Sequence, residues 1–569
     1  MINSTKWWVL LFVPFLINCT KTTNLTDSQK NVTGVLGDSA MVVTAHPIAT
    51  EIGFQAIQNG GNAIDAAVAA QFALAVVYPR AGNIGGGGFA VIRLSNGESK
   101  ALDFREMAPA LAHRDMFLDA EGNPISELSN RGPLAAGVPG SVAGMWELHQ
   151  KHGSIPWSRL VQPAIDVAYY GFRITQDEAD ALNEKQEDFT EANRYKPWVI
   201  NDASWKEGDL VKQTQLSATL SFIRDLGRDG FYKGIVADQM TKEMAAGNGI
   251  ITKQDLENYQ AIWRKPIIGE YRGFQIIGMP PPSSGGIALM QLLQGAELLE
   301  INKYVHNSVE AVNVMAEIES RVFADRAKFL GDTDFFDVPV EKLLSKAYNE
   351  KRFEGIKPSI KTPSSEISHG KMAPYESPET THFSIVDTKG NAVSITTTLN
   401  LNYGCKVWVK GAGFVLNNEM DDFSAKPGVP NFYGLIGNEA NAIAPGKRML
   451  SAMTPTIVEK DGKLKMVVGT PGGGTIITTV FQVIINVIDY DMTMQEAVSA
   501  KRIHHQWLPD EIKIEMGALA EEEINELSTL GHTINILDKI GRADCILVRT
   551  DSTYEGGADP RGDDLAKGY

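Results

Sequence analysis

Cysteine is nearly absent from this chain. Its 569 residues include only Cys19, Cys405 and Cys545, with no C-x-x-C spacing, which excludes a zinc knuckle and a dense disulfide framework. Spacing leaves Cys405 and Cys545 open as buried thiols or as one bridge. Positive charge is also short: 53 Lys and Arg stand against 69 Asp and Glu, a net charge of −16. Phosphate binding needs clustered Lys and Arg to release counterions, so nucleic acid is excluded as a partner. There is no G-x-S-x-G elbow, no H-E-x-x-H pair and no Walker lysine after a glycine loop, so the sequence calls for no cofactor and no metal. What remains is 43% hydrophobic and 21% charged, an ordinary globular balance. At roughly 100–200 residues per domain, the length allows two or more domains or one large composite one.

Long apolar runs are missing after the first residues. Trp7 to Ile17 is an apolar stretch of 11 residues preceded by Lys6 and interrupted by Pro14. Spanning a hydrocarbon core of about 30 Å takes about 20 residues, so the stretch suits a signal-peptide core instead. It ends in Leu16-Ile17-Asn18-Cys19, which resembles a bacterial lipobox. The expectation is therefore a signal over 1–18, a lipid-bearing Cys19 as new N-terminus, a tether over 19–39, and a periplasmic body held to the membrane only by lipid. A plain cleaved signal is the alternative.

Along the body, strands and helices alternate. Met41–Ala45 predicts a strand; Thr50–Asn59 and Ala63–Val77 predict helices split by Gly60-Gly61. Phe89–Leu94 and Lys100–Arg105 predict a hairpin around Asn96-Gly97. From about 139 to 350 the pattern is mostly helical, as in Gly140–Lys151, Leu216–Leu226 and Val309–Phe329, with strands near 265–271 and 273–278. Lys357 to Pro378 reads as a surface loop or linker. Beyond it, His382–Val386, Ala392–Thr398, Thr454–Glu459 and Lys465–Thr470 predict strands, with helices over Thr475–Asp489 and Met494–Arg502. Sheets layered with helices follow.

Hydroxyl groups cluster at Thr380-Thr381-His382-Phe383-Ser384 and at Thr396-Thr397-Thr398, on two strands joined by a turn at Lys389-Gly390-Asn391. Threonine is a good strand former, so the cluster alone decides little. Pairing as a hairpin would bring threonines from both strands together at one end. The whole run TTHFSIVDTKGNAVSITTTLNLNYG, 380–404, resembles the signature of the γ-glutamyltranspeptidase family. DFREMAPA at 103–110, NIGGGGF at 83–89, MPPPSSGG at 279–286, NNEMDDFSAKPGVPN at 417–431 and GTPGGG at 469–474 resemble further family motifs, in the family's order. The resemblance runs from about residue 40 to 569.

This resemblance implies an α+β fold: the four-layer αββα sandwich of N-terminal-nucleophile hydrolases. It is made as one precursor that cuts itself between Glu379 and Thr380 into a large subunit, 40–379 after the tether, and a small subunit, 380–569. A threonine hydroxyl needs a base within reach, and cleavage supplies one, since the new α-amine of Thr380 has a reference pKa of about 8. The resemblance further implies that Thr398 orients the nucleophile and that the N–H groups of Gly472 and Gly473 stabilise the oxyanion. Arg105 would hold the substrate α-carboxylate with Ser451; the next position, usually serine in the family, is Ala452, which removes one hydrogen bond. Asn400, Glu419 and Asp422 would accept from the α-ammonium, and Tyr433, in the lid-like stretch Pro427 to Asn438, would shield the pocket. The expected substrates are glutathione and other γ-glutamyl compounds, with water, amino acids or dipeptides as acceptors. The alternatives are a cephalosporin or glutaryl acylase-like amidohydrolase and an unprocessed, inactive lipoprotein that binds peptides.

Overall fold

The hydroxyl-rich hairpin lies in the middle of one of two stacked seven-stranded sheets. The computed structural model describes residues 32–368, 380–426, 428–429 and 438–569. From edge to edge the first sheet runs Leu565–Gly568, Met41–Thr44, Thr381–Val386, Ala392–Thr398, Gly87–Arg93, Ser99–Phe104 and Ile262–Arg264. The second runs Val35–Gly37, Tyr554–Gly557, Cys545–Val548, Lys463–Val468, Thr456–Lys460, Phe274–Gly278 and Ile267–Tyr271. Strands from before and after position 380 therefore interleave in both sheets.

Period-two alternation explains the layering. Phe383, Ile385, Val393 and Ile395 join one core with the helices Pro47–Gln58, Ala63–Val77 and Trp157–Tyr170. The opposite face of the same hairpin carries His382, Ser384, Ser394 and Thr396 toward the second sheet. There Ser384 Oγ donates to Asp544 O at 2.8 Å, while Ser394 Oγ donates to Val468 O at 3.0 Å and accepts from Thr456 N at 3.1 Å. Ser384 and Ser394 thus stitch sheet to sheet. A second apolar cluster packs Gly285–Leu298, Val309–Phe329 and Thr475–Ile488 on the far side. The result is helix layer, sheet, sheet, helix layer: the αββα sandwich that the resemblance implies.

The helix Ala63–Val77 is apolar all round and every one of its 15 residues is buried, as an interior helix requires. It starts at a capping box, in which Asn62 Oδ1 accepts from Ile64 N and Asp65 N and Asp65 accepts from Asn62 N, an arrangement worth about 1 kcal/mol. Strand and helix limits otherwise fall within a few residues of the sequence reading. The exception is Met494–Arg502, where the helix stops at Ser499 and Ile503–His504 form a strand. The strands Ile262–Arg264, Cys545–Val548, Tyr554–Gly557 and Leu565–Gly568 have no sequence forecast. They are three or four residues long, too short to show a period.

Cys405 and Cys545 are both free and buried, which removes the bridge alternative; burial pushes the Cys405 thiol up to about 12. His504 lies between Thr478 Oγ1 and Gln506 Oε1, each at 2.9 Å, and His505 Nδ1 accepts from Trp507 N at 3.0 Å. No helix among the described residues is long and apolar enough to cross a membrane. Cys19, the signal and tether up to residue 31, Glu379 and Tyr433 lie outside the described residues.

Candidate active site

Register sets the centre of the site. Thr381 pairs with Thr397, so Thr380, just before its strand, stands opposite Thr398 at the hairpin's open end. Both are buried, at 5% and 3% exposure. Thr398 Oγ1 accepts from Asn400 N at 2.8 Å, and Asn83 Nδ2 donates to Thr398 O at 2.9 Å. On the neighbouring strand Thr398 faces Gly87. A side chain at Gly87 would run into Phe104 O at 2.5 Å and the Glu106 carboxylate at 2.6 Å, so the glycine block lets this strand close on the site.

A cavity of about 300 Å³ opens at Thr380. Arg105, Thr398, Asn400, Asp422, Ser451, Ala452 and Gly473 line it too. Arg105 is 1% exposed. It is aimed from both ends: its N–H donates to Asp103 Oδ1 at 3.0 Å, and its carbonyl accepts from Tyr259 Oη at 2.7 Å. Its guanidinium reaches Glu419 Oε2 at 2.5 Å, pairs closely with Asp422, and stands 3.5 Å from Glu106 Oε2. Burial raises all three carboxyls above the usual range, Glu106 to about 8, while the guanidinium pulls them back down. Three acids thus share one cation in a place that water hardly reaches. Such a cluster has an electrostatic use for a second cation.

Two asparagines hold the acidic segment. Asn417 Oδ1 accepts from Glu419 N at 3.0 Å and from Gly137 N at 2.9 Å, and Asn417 Nδ2 donates to Gly85 O at 2.8 Å. Asn418 O accepts from Asn400 Nδ2 at 3.0 Å, and Asn418 Oδ1 from Leu401 N at 3.0 Å. Asn400 itself is left-handed, with φ of +73°, a conformation that asparagine tolerates better than most side chains. Ser451 is held through its backbone: its N–H donates to Pro282 O at 3.0 Å, and its carbonyl accepts from the amide and hydroxyl of Ser284 at 2.8 and 2.7 Å. Its hydroxyl accepts from Met453 N at 3.1 Å.

Gly472 and Gly473 form the turn from the strand Lys463–Val468 into the helix Thr475–Ile488. Their φ values are +142° and +55°, where glycine is favoured. A side chain at Gly472 would collide with Thr475 Oγ1. Thr475 donates to Gly472 O from both its amide and its hydroxyl, at 3.0 and 2.8 Å. No acceptor for the Gly472 or Gly473 amide is found among the described residues. Amides without an acceptor at the start of a helix form a ready site for negative charge.

The structure therefore gathers Thr380, Thr398, Arg105, Asn400, Asp422, Ser451, Ala452 and Gly473 around one cavity. Glu419 joins through Arg105, and Gly472 lines an adjacent cavity that also reaches Thr380. Sequence reasoning missed Glu106 and the clamps Asn83, Asn417 and Asn418. All four lie inside the family-like motifs, but nothing in local sequence says that the Glu106 carboxylate turns to Arg105. Among the described residues, no group of three or more His, Cys, Asp and Glu is placed to hold a metal ion.

Comparison with known proteins shows the family. The chain is 47% identical over 544 residues to a protein of Escherichia coli strain K12 named glutathione hydrolase proenzyme, covering 94% of this chain and 93% of that one. A crystal structure of Helicobacter pylori γ-glutamyltranspeptidase is 47% identical, covers 60% of this chain and 96% of its own, and superposes with a TM-score of 0.55. A cephalosporin acylase from Bacillus halodurans, 26% identical, superposes with a TM-score of 0.82 over 98% of this chain and 99% of its own. The sequence profile described as gamma-glutamyltranspeptidase matches residues 49–569, and with that match the chain belongs to the γ-glutamyltranspeptidase family.

Proposed function

We propose that this chain is an autoprocessing γ-glutamyltranspeptidase and glutathione hydrolase whose nucleophile is Thr380. The observation that carries the assignment is the single cavity in which Thr380 and Thr398 meet Arg105, Asn400, Asp422, Ser451 and Gly473. Cleavage after Glu379 frees the Thr380 amine and divides the chain into 40–379 and 380–569. The amine takes the Thr380 hydroxyl proton, Oγ1 attacks the γ-carbonyl, and the amides of Gly472 and Gly473 receive the oxyanion. As the tetrahedral intermediate collapses, the same proton passes to the departing nitrogen and a γ-glutamyl ester remains on Thr380. Water, an amino acid or a dipeptide then takes the acyl group by the reverse sequence.

The charge arrangement supports a zwitterionic substrate. Without one, Arg105 spends its charge on Glu419 and Asp422. An α-carboxylate entering onto Arg105 and Ser451, with an α-ammonium onto Asn400, Glu419 and Asp422, would replace one ion pair by two and leave the net charge of the pocket unchanged. Ala452 lines the pocket without a hydroxyl to add. Tyr433 would cover it, and Cys19 would carry the lipid that keeps the enzyme on a membrane outside the cytoplasm.

Sequencing the N-terminus of the small fragment should read Thr-Thr-His-Phe. Any other start refutes Thr380 as nucleophile. The acylase reading is tested by offering γ-glutamyl and glutaryl anilides side by side: the γ-glutamyl compound, with both α-groups, should react far faster. Equal rates would favour the acylase. In Gly472→Ala the backbone strain and the collision with Thr475 should displace an oxyanion donor. The expected effect is a kcat lower by about 10²-fold with KM little changed, read by steady-state kinetics on γ-glutamyl anilide.

A further inference from the structure

Beside Arg105, the cavity at Thr380 offers Ser451, while its neighbour Ala452 brings no hydroxyl. Ser451 Oγ accepts from Met453 N at 3.1 Å, and among the described residues no acceptor takes its hydrogen. A hydroxyl in that state has a donor to spare for an anion. Where the hydrogen points depends on how the backbone of Ser451 is held. Ser451 and Ser283 form a parallel bridge, and every carbonyl from 451 to 453 is engaged. Ser451 O accepts from the amide and hydroxyl of Ser284 at 2.8 and 2.7 Å, Ala452 O from Thr454 Oγ1 at 2.8 Å, and Met453 O from Ser283 Oγ at 2.6 Å.

One of these bonds reaches further. Arg326, in the last turn of the helix Val309–Phe329, donates from Nε to Ser284 Oγ at 2.9 Å. Ser284 immediately precedes the helix Gly285–Leu298. Both residues are buried, at 4% and 0% exposure. A guanidinium can only donate, so the Ser284 oxygen receives and its own hydrogen is left to point at Ser451 O. Accepting from a cation also polarises the hydroxyl and strengthens the bond that it donates. The same arginine bears on the other end of the pocket: Asp422, which burial raises and Arg105 lowers, is lowered further by the charge of Arg326. We propose that Ser284 and Arg326 are positioning residues for the donor α-carboxylate. Arg326 fixes the Ser284 hydroxyl, Ser284 fixes the Ser451 carbonyl, and Ser451 presents its hydrogen to the carboxylate beside Arg105. The inference rests on the donor pocket proposed above.

The test reads the two ends of that pocket separately, through competitors of γ-glutamyl-4-nitroanilide hydrolysis by the processed enzyme. Glutaramate keeps the carboxylate and lacks the ammonium; 4-aminobutanamide keeps the ammonium and lacks the carboxylate. Ser284→Ala should raise KM for the anilide and the inhibition constant of glutaramate together, about fivefold, the scale of one hydrogen bond. The kcat and the constant for 4-aminobutanamide should not move. Ser284→Cys keeps the shape of the side chain but is a weaker donor, so its shift should be smaller; it also reads the relay if the alanine variant does not fold. Arg326→Lys keeps the charge and loses the Nε–H, and its shift should not add to that of Ser284→Ala, since both act on one hydroxyl. Additive shifts overturn the relay from Arg326. A purely structural loss would weaken both competitors alike, so equal shifts, or no shift for glutaramate, overturn the positioning role. If glutaramate does not compete on the unaltered protein, the donor-pocket reading fails, and this inference with it.

Discussion

Thr380→Ala is expected to yield one uncut chain without activity. On the proposed mechanism the variant lacks the hydroxyl that attacks both the Glu379–Thr380 bond and the substrate, so a denaturing gel should show a single band where the unaltered protein should show two. Hydrolysis of γ-glutamyl anilide should fall by at least about 10⁴-fold, the scale on which removal of a nucleophile acts. A folding defect would not explain the loss. Thr380 precedes its strand, and only a hydroxyl and a methyl are deleted, a change of about 1 kcal/mol, so circular dichroism and melting should be nearly unaltered. Thr380→Ser keeps the oxygen and should cut itself, more slowly. Two bands from Thr380→Ala would mean that some other group cleaves the precursor.

The second large effect belongs to Arg105, because on the proposed reading this side chain serves structure and binding together. Its removal leaves Glu106, Glu419 and Asp422 in a buried site without their shared cation. Breaking a buried ion pair on one side costs about 3–5 kcal/mol, a large part of a total stability of about 5–15 kcal/mol. Arg105→Ala should therefore melt at a markedly lower temperature, with a pH dependence of known sign. Without Arg105 the buried carboxyls titrate still further above their unfolded values. The unfolded state then binds fewer protons than the folded state between the ordinary glutamate value of 4.5 and the raised folded one, and the stability of the variant falls as pH rises through that window. Melting curves at pH 5 and pH 8 should thus diverge more for Arg105→Ala than for the unaltered protein.

Arg105→Lys separates the two roles. A lysine keeps a positive charge near the acids but lacks the planar fork that takes a carboxylate through two parallel bonds. It should fold, and KM for γ-glutamyl anilide should rise about 10–100-fold, as for a loss of about 1.4–2.8 kcal/mol, with kcat changed much less. An unchanged KM would leave Arg105 with a structural task only.

Some of this was legible in the chain. The hairpin that brings Thr380 opposite Thr398 follows from two runs of strand-forming residues joined at Gly390, with φ of +78°. The helix Ala63–Val77 announces itself by its alanine-rich apolar spacing after Gly60-Gly61, and the Gly472–Gly473 turn by its glycines. Each is a local feature, specified by residues within a few positions of one another. The motif resemblance added which of these local features belong to one catalytic unit.

Other parts needed partners far away in sequence. Glu106 becomes part of the site only because Gly87 lets its strand come close, and Asn417 reaches Gly85 and Gly137 across more than 200 positions. The strand Leu565–Gly568 pairs with Met41–Thr44 from the opposite end of the chain, and nothing within its four residues encodes that choice. The basic cavity that Gly472 lines beside Thr380 takes its cationic wall from Arg80 and from positions beyond 530, Lys539, Arg542 and Arg561, while the chain as a whole is acidic.

The sequence by itself determined the layering of sheets with helices and, through its motifs, the family, because periodicity, glycine turns and motif spacing are written locally. Tertiary structure alone decided that one guanidinium would be shared among three buried acids, that Ser384 and Ser394 of the signature would join sheet to sheet, and that Thr380 would stand between an acidic cavity and a basic one. Those outcomes depend on burial and on charges brought within a few ångströms by distant strands. A linear sequence specifies neither dielectric environment nor distance until the chain has folded.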